Sequence, residues 1–71
     1  MSQITAVYSQ NTGTVTLQET SSRGNSRDLG SFLTNVDPRY LSPELFPYGL
    51  RTKTYLGAIN HHTHVYELEQ I

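Results

Sequence analysis

A chain of 71 residues without cysteine has no disulfide framework and no thiolate zinc site to hold it. At this length only about 60% of the unfolded surface is buried, so one modest core is all it can build. Five Lys and Arg against six Asp and Glu leave a formal charge of −1, which supplies no overall field to attract a phosphate backbone.

Residues 1–9 lack the basic start and apolar run of a signal peptide, and no stretch approaches the ~20 apolar residues of a membrane helix. The expectation is therefore a single soluble, cytoplasmic domain spanning residues 1–71, with no membrane partner. Ile4 to Tyr8 and Thr14 to Glu19 are rich in Thr, Val, Ile and Tyr and are separated by Gln10-Asn11-Thr12-Gly13, which predicts a β-hairpin over 3–19. Alternation puts Ile4, Ala6 and Tyr8 on one face of the first strand, and Val15 and Leu17 on one face of the second.

Residues 20–27 (TSSRGNSR) contain no apolar side chain and read as an exposed polar loop, in which Arg23 and Arg27 are available for charge-assisted contacts. After it, Leu29, Phe32, Leu33 and Val36 recur at i, i+3, i+4 and i+7, predicting a short helix over 28–36 with Asp28 or Ser26 as N-cap. Pro38 ends it by disfavouring helical geometry at Asp37.

Residues 37–50 (DPRYLSPELFPYGL) hold all three prolines. The Asp37-Pro38 and Ser42-Pro43 pairs have the cap-then-Pro order that starts a helical turn, so single turns joined by extended residues are expected. Arg51 to Ala58 and His62 to Glu69 again have strand character around Asn60-His61, predicting a second hairpin over 51–69. The fold expected is α+β: a small antiparallel sheet of two hairpins, one short helix packed on it, and a Pro-rich irregular crossing.

Two clusters carry the functional reading. His61, His62 and His64 invite a metal site, because side chains at i and i+2 of a strand point the same way; His62 and His64 are the candidate ligands, with Glu67 turned to the opposite face. Arg39, Tyr40, Phe46, Tyr48 and Arg51 combine the residue types that dominate protein interfaces with a Pro-stiffened backbone that loses little entropy on binding.

No nucleophile elbow, phosphate loop or dinucleotide fingerprint is present. The function expected is therefore that of a non-enzymatic protein-binding module without cofactor. It would dock on a larger protein bearing an acidic patch and modulate or inhibit it, as phage-encoded modulators of host machinery do. Arg39, Tyr40, Phe46, Tyr48 and Arg51 would form the anchor, and Arg23 and Arg27 would supply long-range attraction. The alternatives are metal binding through the His61/His62/His64 cluster and nucleic-acid binding through Arg23, Arg27, Arg39, Arg51 and Lys53, although nucleic acid is the less expected partner. The chain is expected as a monomer or as an edge-strand homodimer that thickens its core.

Overall fold

Strand alternation and one glycine build the first hairpin. In the computed structural model, which describes residues 3–42, 44, 46 and 49–70, β1 (Gln3–Ser9) pairs antiparallel with β2 (Thr14–Thr20), from Gln3 opposite Thr20 to Ser9 opposite Thr14. The turn closes with the Gly13 N–H donating to Ser9 O at 2.8 Å. Gly13 has φ +68°, and a Cβ there would lie 2.9 Å from the Thr34 carbonyl oxygen. Glycine alone tolerates both the backbone angle and the approach of Thr34, whose own N–H donates to Gly13 O at 2.7 Å.

The next segment corrects the sequence reading. Residues Ser26–Leu33 form β3, paired antiparallel with β2, and the helix expected over 28–36 does not form. The described residues hold five strands and the short 3-10 turn Pro38–Tyr40, and no α-helix, so the fold is all-β and not α+β. The reason lies in a bulge. The β2–β3 register shifts between Leu17 and Gln18, so that Leu17 faces Gly30, Gln18 faces Asp28, and Leu29 is the extra residue. A bulge places two inward-leaning apolar side chains three residues apart, and Leu29 and Phe32, both packed against the core, thereby imitate the spacing of a helix. Gly30, at φ +125°, adopts a backbone angle no right-handed helix contains.

Two further strands, β4 (Leu50–Asn60) and β5 (Thr63–Gln70), form the last hairpin, and β5 also pairs with β1. The sheet order is β3-β2-β1-β5-β4, with every neighbouring pair antiparallel. The chain must therefore travel from the β3 edge to the β4 edge, and the described residues of this crossing pack on one face of the sheet. The core lies beneath them: Ala6, Tyr8, Val15, Leu17, Tyr66 and Leu68 from the sheet meet Phe46 and Leu50, with Ile4, Leu29, Phe32 and Leu41 packed against them. Phe46 meets Phe32 edge-on at 5.9 Å, an arrangement favoured by the ring quadrupoles. The crossing is tied down where Thr52 Oγ1 donates to Pro38 O at 2.8 Å.

β4 is irregular. Its register against β5 steps over Lys53, Leu56 and Ile59 in turn, so three bulges twist this edge and make it a poor template for adding another strand. On the opposite side of the sheet from the core, Val7 and Val65 face each other across β1 and β5, with Thr16 beside Val7.

Candidate functional site

The chemistry of this small molecule concentrates where the crossing meets the β4 end of the sheet. Asp37 caps the 3-10 turn: its Oδ1 accepts from the Arg39 backbone N–H at 2.9 Å, and Pro38 occupies the first helical position, where its missing N–H costs nothing. The same oxygen accepts from the Tyr66 hydroxyl at 2.9 Å, and Oδ2 accepts from Arg39 Nη2 at 3.3 Å. One carboxylate thus fixes the turn, the guanidinium that follows it and the largest fully buried ring of the core.

These contacts decide the protonation states. Burial would raise the Asp37 carboxyl, but hydrogen bonds from the Arg39 backbone, the Arg39 guanidinium and the Tyr66 hydroxyl outweigh it and hold the group below its ordinary value of 3.8. Burial, and then the hydrogen bond to Asp37, push the Tyr66 hydroxyl well above the ordinary tyrosine range. A carboxyl depressed in the folded state stabilises the fold above its unfolded pKa, and that contribution is lost as pH falls through the folded value. Wild-type protein is therefore expected to lose stability as pH is lowered from about 4 toward about 2, and Asp37→Asn to lose less over the same window. Urea midpoints of the two proteins across this range check it; parallel pH profiles would remove Asp37 from the account.

Arg39 is spread between two rings, its Cζ 5.5 Å from the Tyr40 centroid and 5.1 Å from that of Tyr55, within the range of cation–π attraction. Tyr40 itself is 75% exposed. Tyr55 packs on Tyr66 at 5.2 Å, and its hydroxyl meets His64 Nδ1 at 3.0 Å. His64 Nε2 lies 3.2 Å from Gln10 Oε1. Both ring nitrogens of His64 are thus engaged, one by the Tyr55 hydroxyl and one by the Gln10 side-chain amide.

The residues singled out in the sequence are thus divided. Arg39 and Tyr40 stand together on the surface. Phe46 is 4% exposed and belongs to the core, and Tyr48 lies outside the described residues, as do Pro43, Leu45 and Pro47. Arg51 is on β4, its Nε donating to Glu69 at 2.8 Å. Arg27 is on β3 at the other edge and pairs with Glu19 at 2.8 Å, while Arg23 is exposed in the β2–β3 connection. With Lys53 on β4, the five cations are spread over both edges and the crossing, and three of them stand against carboxylates.

His61 and His62 lie in the β4–β5 turn, and His62 Nδ1 meets the Thr63 hydroxyl at 3.2 Å, whereas His64 is engaged by Tyr55 and Gln10. Among the described residues, no group of three or more His, Asp or Glu side chains is placed to hold a metal ion. What sequence reading missed was Tyr55 as Arg39's second ring, and Asp37 as more than a cap. The strand pairing of Tyr55 with Tyr66 crosses a bulge, so no simple alternation announces it.

Two clefts flank this arrangement. One of about 550 Å³ lies between the β1–β2 turn and residues 33–35, lined by Tyr8 and by amide and hydroxyl side chains. The other, about 670 Å³, lies near the opposite end of the strands and includes Glu19, Lys53, Glu67 and Glu69. No family model, curated protein or solved structure matches the chain.

Proposed function

We propose that this chain is a protein-binding module which docks on a larger protein through Arg39, Tyr40 and Tyr55 and alters the activity of what it binds. The observation that supports this reading most is Tyr40, 75% exposed on a turn already set by Pro38 and Asp37. A large amphipathic ring presented on a locked backbone gains contact area without a large ordering cost. Arg39, held between two rings, is available to a carboxylate on the partner, since a guanidinium has more N–H donors than Asp37 occupies. A partner surface with acidic residues around an apolar pocket fits both. Arg23, exposed in its loop, adds attraction over roughly a Debye length of ~8 Å.

The test compares two immobilised baits, wild type and Tyr40→Ala, against extract of the native host. Tyr40 is too exposed for its loss to affect the fold, which circular dichroism verifies. A stoichiometric protein held by the first and lost by the second is expected, with affinity for the purified partner reduced about 30-fold, the effect of one hot-spot residue worth ~2 kcal/mol. Equal retention on both baits would overturn this surface.

A further inference from the structure

The described residues of the crossing pack on the side of the sheet that holds the core, and among the described residues only the strands themselves form the second face. The strand registers define what it presents. At its centre Val7 on β1 lies opposite Val65 on β5, with Thr16 on the outer side of Val7. In the row nearest the β1–β2 and β4–β5 turns, Leu33 on the β3 edge lies in line with Asn60 on the β4 edge. Two rows away, Asp28 on β3 lies in line with Thr54 on β4 by the same registers. The residues that β4's register steps over, Ile59 beside Asn60 and Lys53 beside Thr54, bring an apolar and a cationic side chain to the two ends of that edge. Leu33 is 78% and Ile59 67% exposed.

We infer that this face packs against the same face of a second copy of the chain, about a two-fold axis running along β1. Such an axis lays β3 of one copy over β4 of the other while keeping the rows level. Leu33 then meets Ile59 of the second copy, Asp28 meets its Lys53, and Val7 meets Val7 at the axis. An isologous contact forms the Leu33–Ile59 and Asp28–Lys53 pairs twice each and the Val7–Val7 contact once, on the axis. The other in-plane two-fold, across the strands at Val7, would instead lay each strand over itself with its rows reversed, setting Leu33 over Asp28 and Ile59 over Lys53 and burying charge against hydrocarbon at a cost. Charge and hydropathy together select the first axis.

The area is sufficient. The molecule measures 32 × 27 × 20 Å, so its broad face spans roughly 700–850 Å², close to the ~800 Å² each partner contributes to a standard interface. Threonine and valine on facing sheets interdigitate well when strands align within about 30°. The arrangement leaves Tyr40 on the outer side of each copy, so it is independent of the docking surface proposed above.

Sedimentation velocity over a concentration series tests the inference. Wild-type chain is expected to rise from its 8.0 kDa monomer mass to twice that value as concentration increases. Lys53→Asp sets two acids against each other and is expected to weaken the dimer about tenfold; Asp28→Lys does the same with two cations, and the double swap restores association. Because Asp28 also accepts from the Gly30 N–H at 3.2 Å, circular dichroism accompanies each variant, and the Lys53→Asp arm stands if Asp28→Lys fails to fold; Val7→Glu, at the axis, then supplies the second arm and is expected to abolish the dimer. A monomer at every concentration up to about 1 mM, a dimer indifferent to Lys53→Asp and Val7→Glu, or a folded double swap that fails to restore association would each overturn it.

Discussion

Tyr66→Ala is expected to leave the chain unfolded at room temperature. Tyr66 is wholly removed from solvent, sits on the central pair β1–β5 opposite Ala6, and packs against Tyr55. Truncating a buried aromatic ring costs about 3–5 kcal/mol in lost burial and cavity formation, and a single core in a domain this small rarely supplies more than about 3–5 kcal/mol in total. The two figures are equal, so no margin remains. Tyr66→Phe separates the ring from its hydroxyl. It keeps the packing and removes one donor from Asp37, which still accepts from Arg39, so a loss of about 1–2 kcal/mol with the fold retained is expected. Far-UV circular dichroism and urea titration distinguish the outcomes; a folded, cooperative Tyr66→Ala would show that the core is not organised around this ring.

Phe46→Ala carries the second large effect, and it bears on function as well as stability. Phe46 is the aromatic ring that the described part of the crossing sets into the core, lying over the sheet and edge-on to Phe32. Its truncation is expected to cost about 3–4 kcal/mol, freeing the crossing from the sheet and with it the turn that presents Arg39 and Tyr40. Binding would then be lost because the fold is lost. Tyr40→Ala should show the opposite pattern, an unchanged urea midpoint with weakened binding. If Phe46→Ala kept the wild-type midpoint and lost only affinity, Phe46 would be an anchor at the surface and the core described here would be wrong.

The residues between 28 and 36 show why the sequence misled at one place. Leu29, Phe32, Leu33 and Val36 have helical spacing, but a strand with one inserted residue also separates inward side chains by three. Local pattern does not distinguish the two. The decision came from β2, which offered a complete hydrogen-bonding edge, and from Gly30, whose backbone angle suits the bulge. Likewise, the Tyr and Arg residues of 37–51 read as one surface because they are close in the chain. The crossing turns Phe46 inward and Tyr40 outward, and Arg51 is carried onto the sheet to meet Glu69.

The sequence by itself determined the local elements whose causes are local. Alternating Ile4, Ala6 and Tyr8 with Val15 and Leu17 specifies which strand faces are buried, because side chains in a strand alternate. Gly13 specifies the turn, because its positive φ is an angle that residues with a side chain rarely adopt, and Asp37-Pro38 starts the 3-10 turn Pro38–Tyr40. Only the tertiary structure decided that β5 pairs with β1, that 26–33 completes the sheet as a strand, and that Tyr55, Tyr66 and Asp37 gather around Arg39. Those contacts join residues far apart in the chain, and their free energy comes from surface buried between elements, which no window of sequence contains.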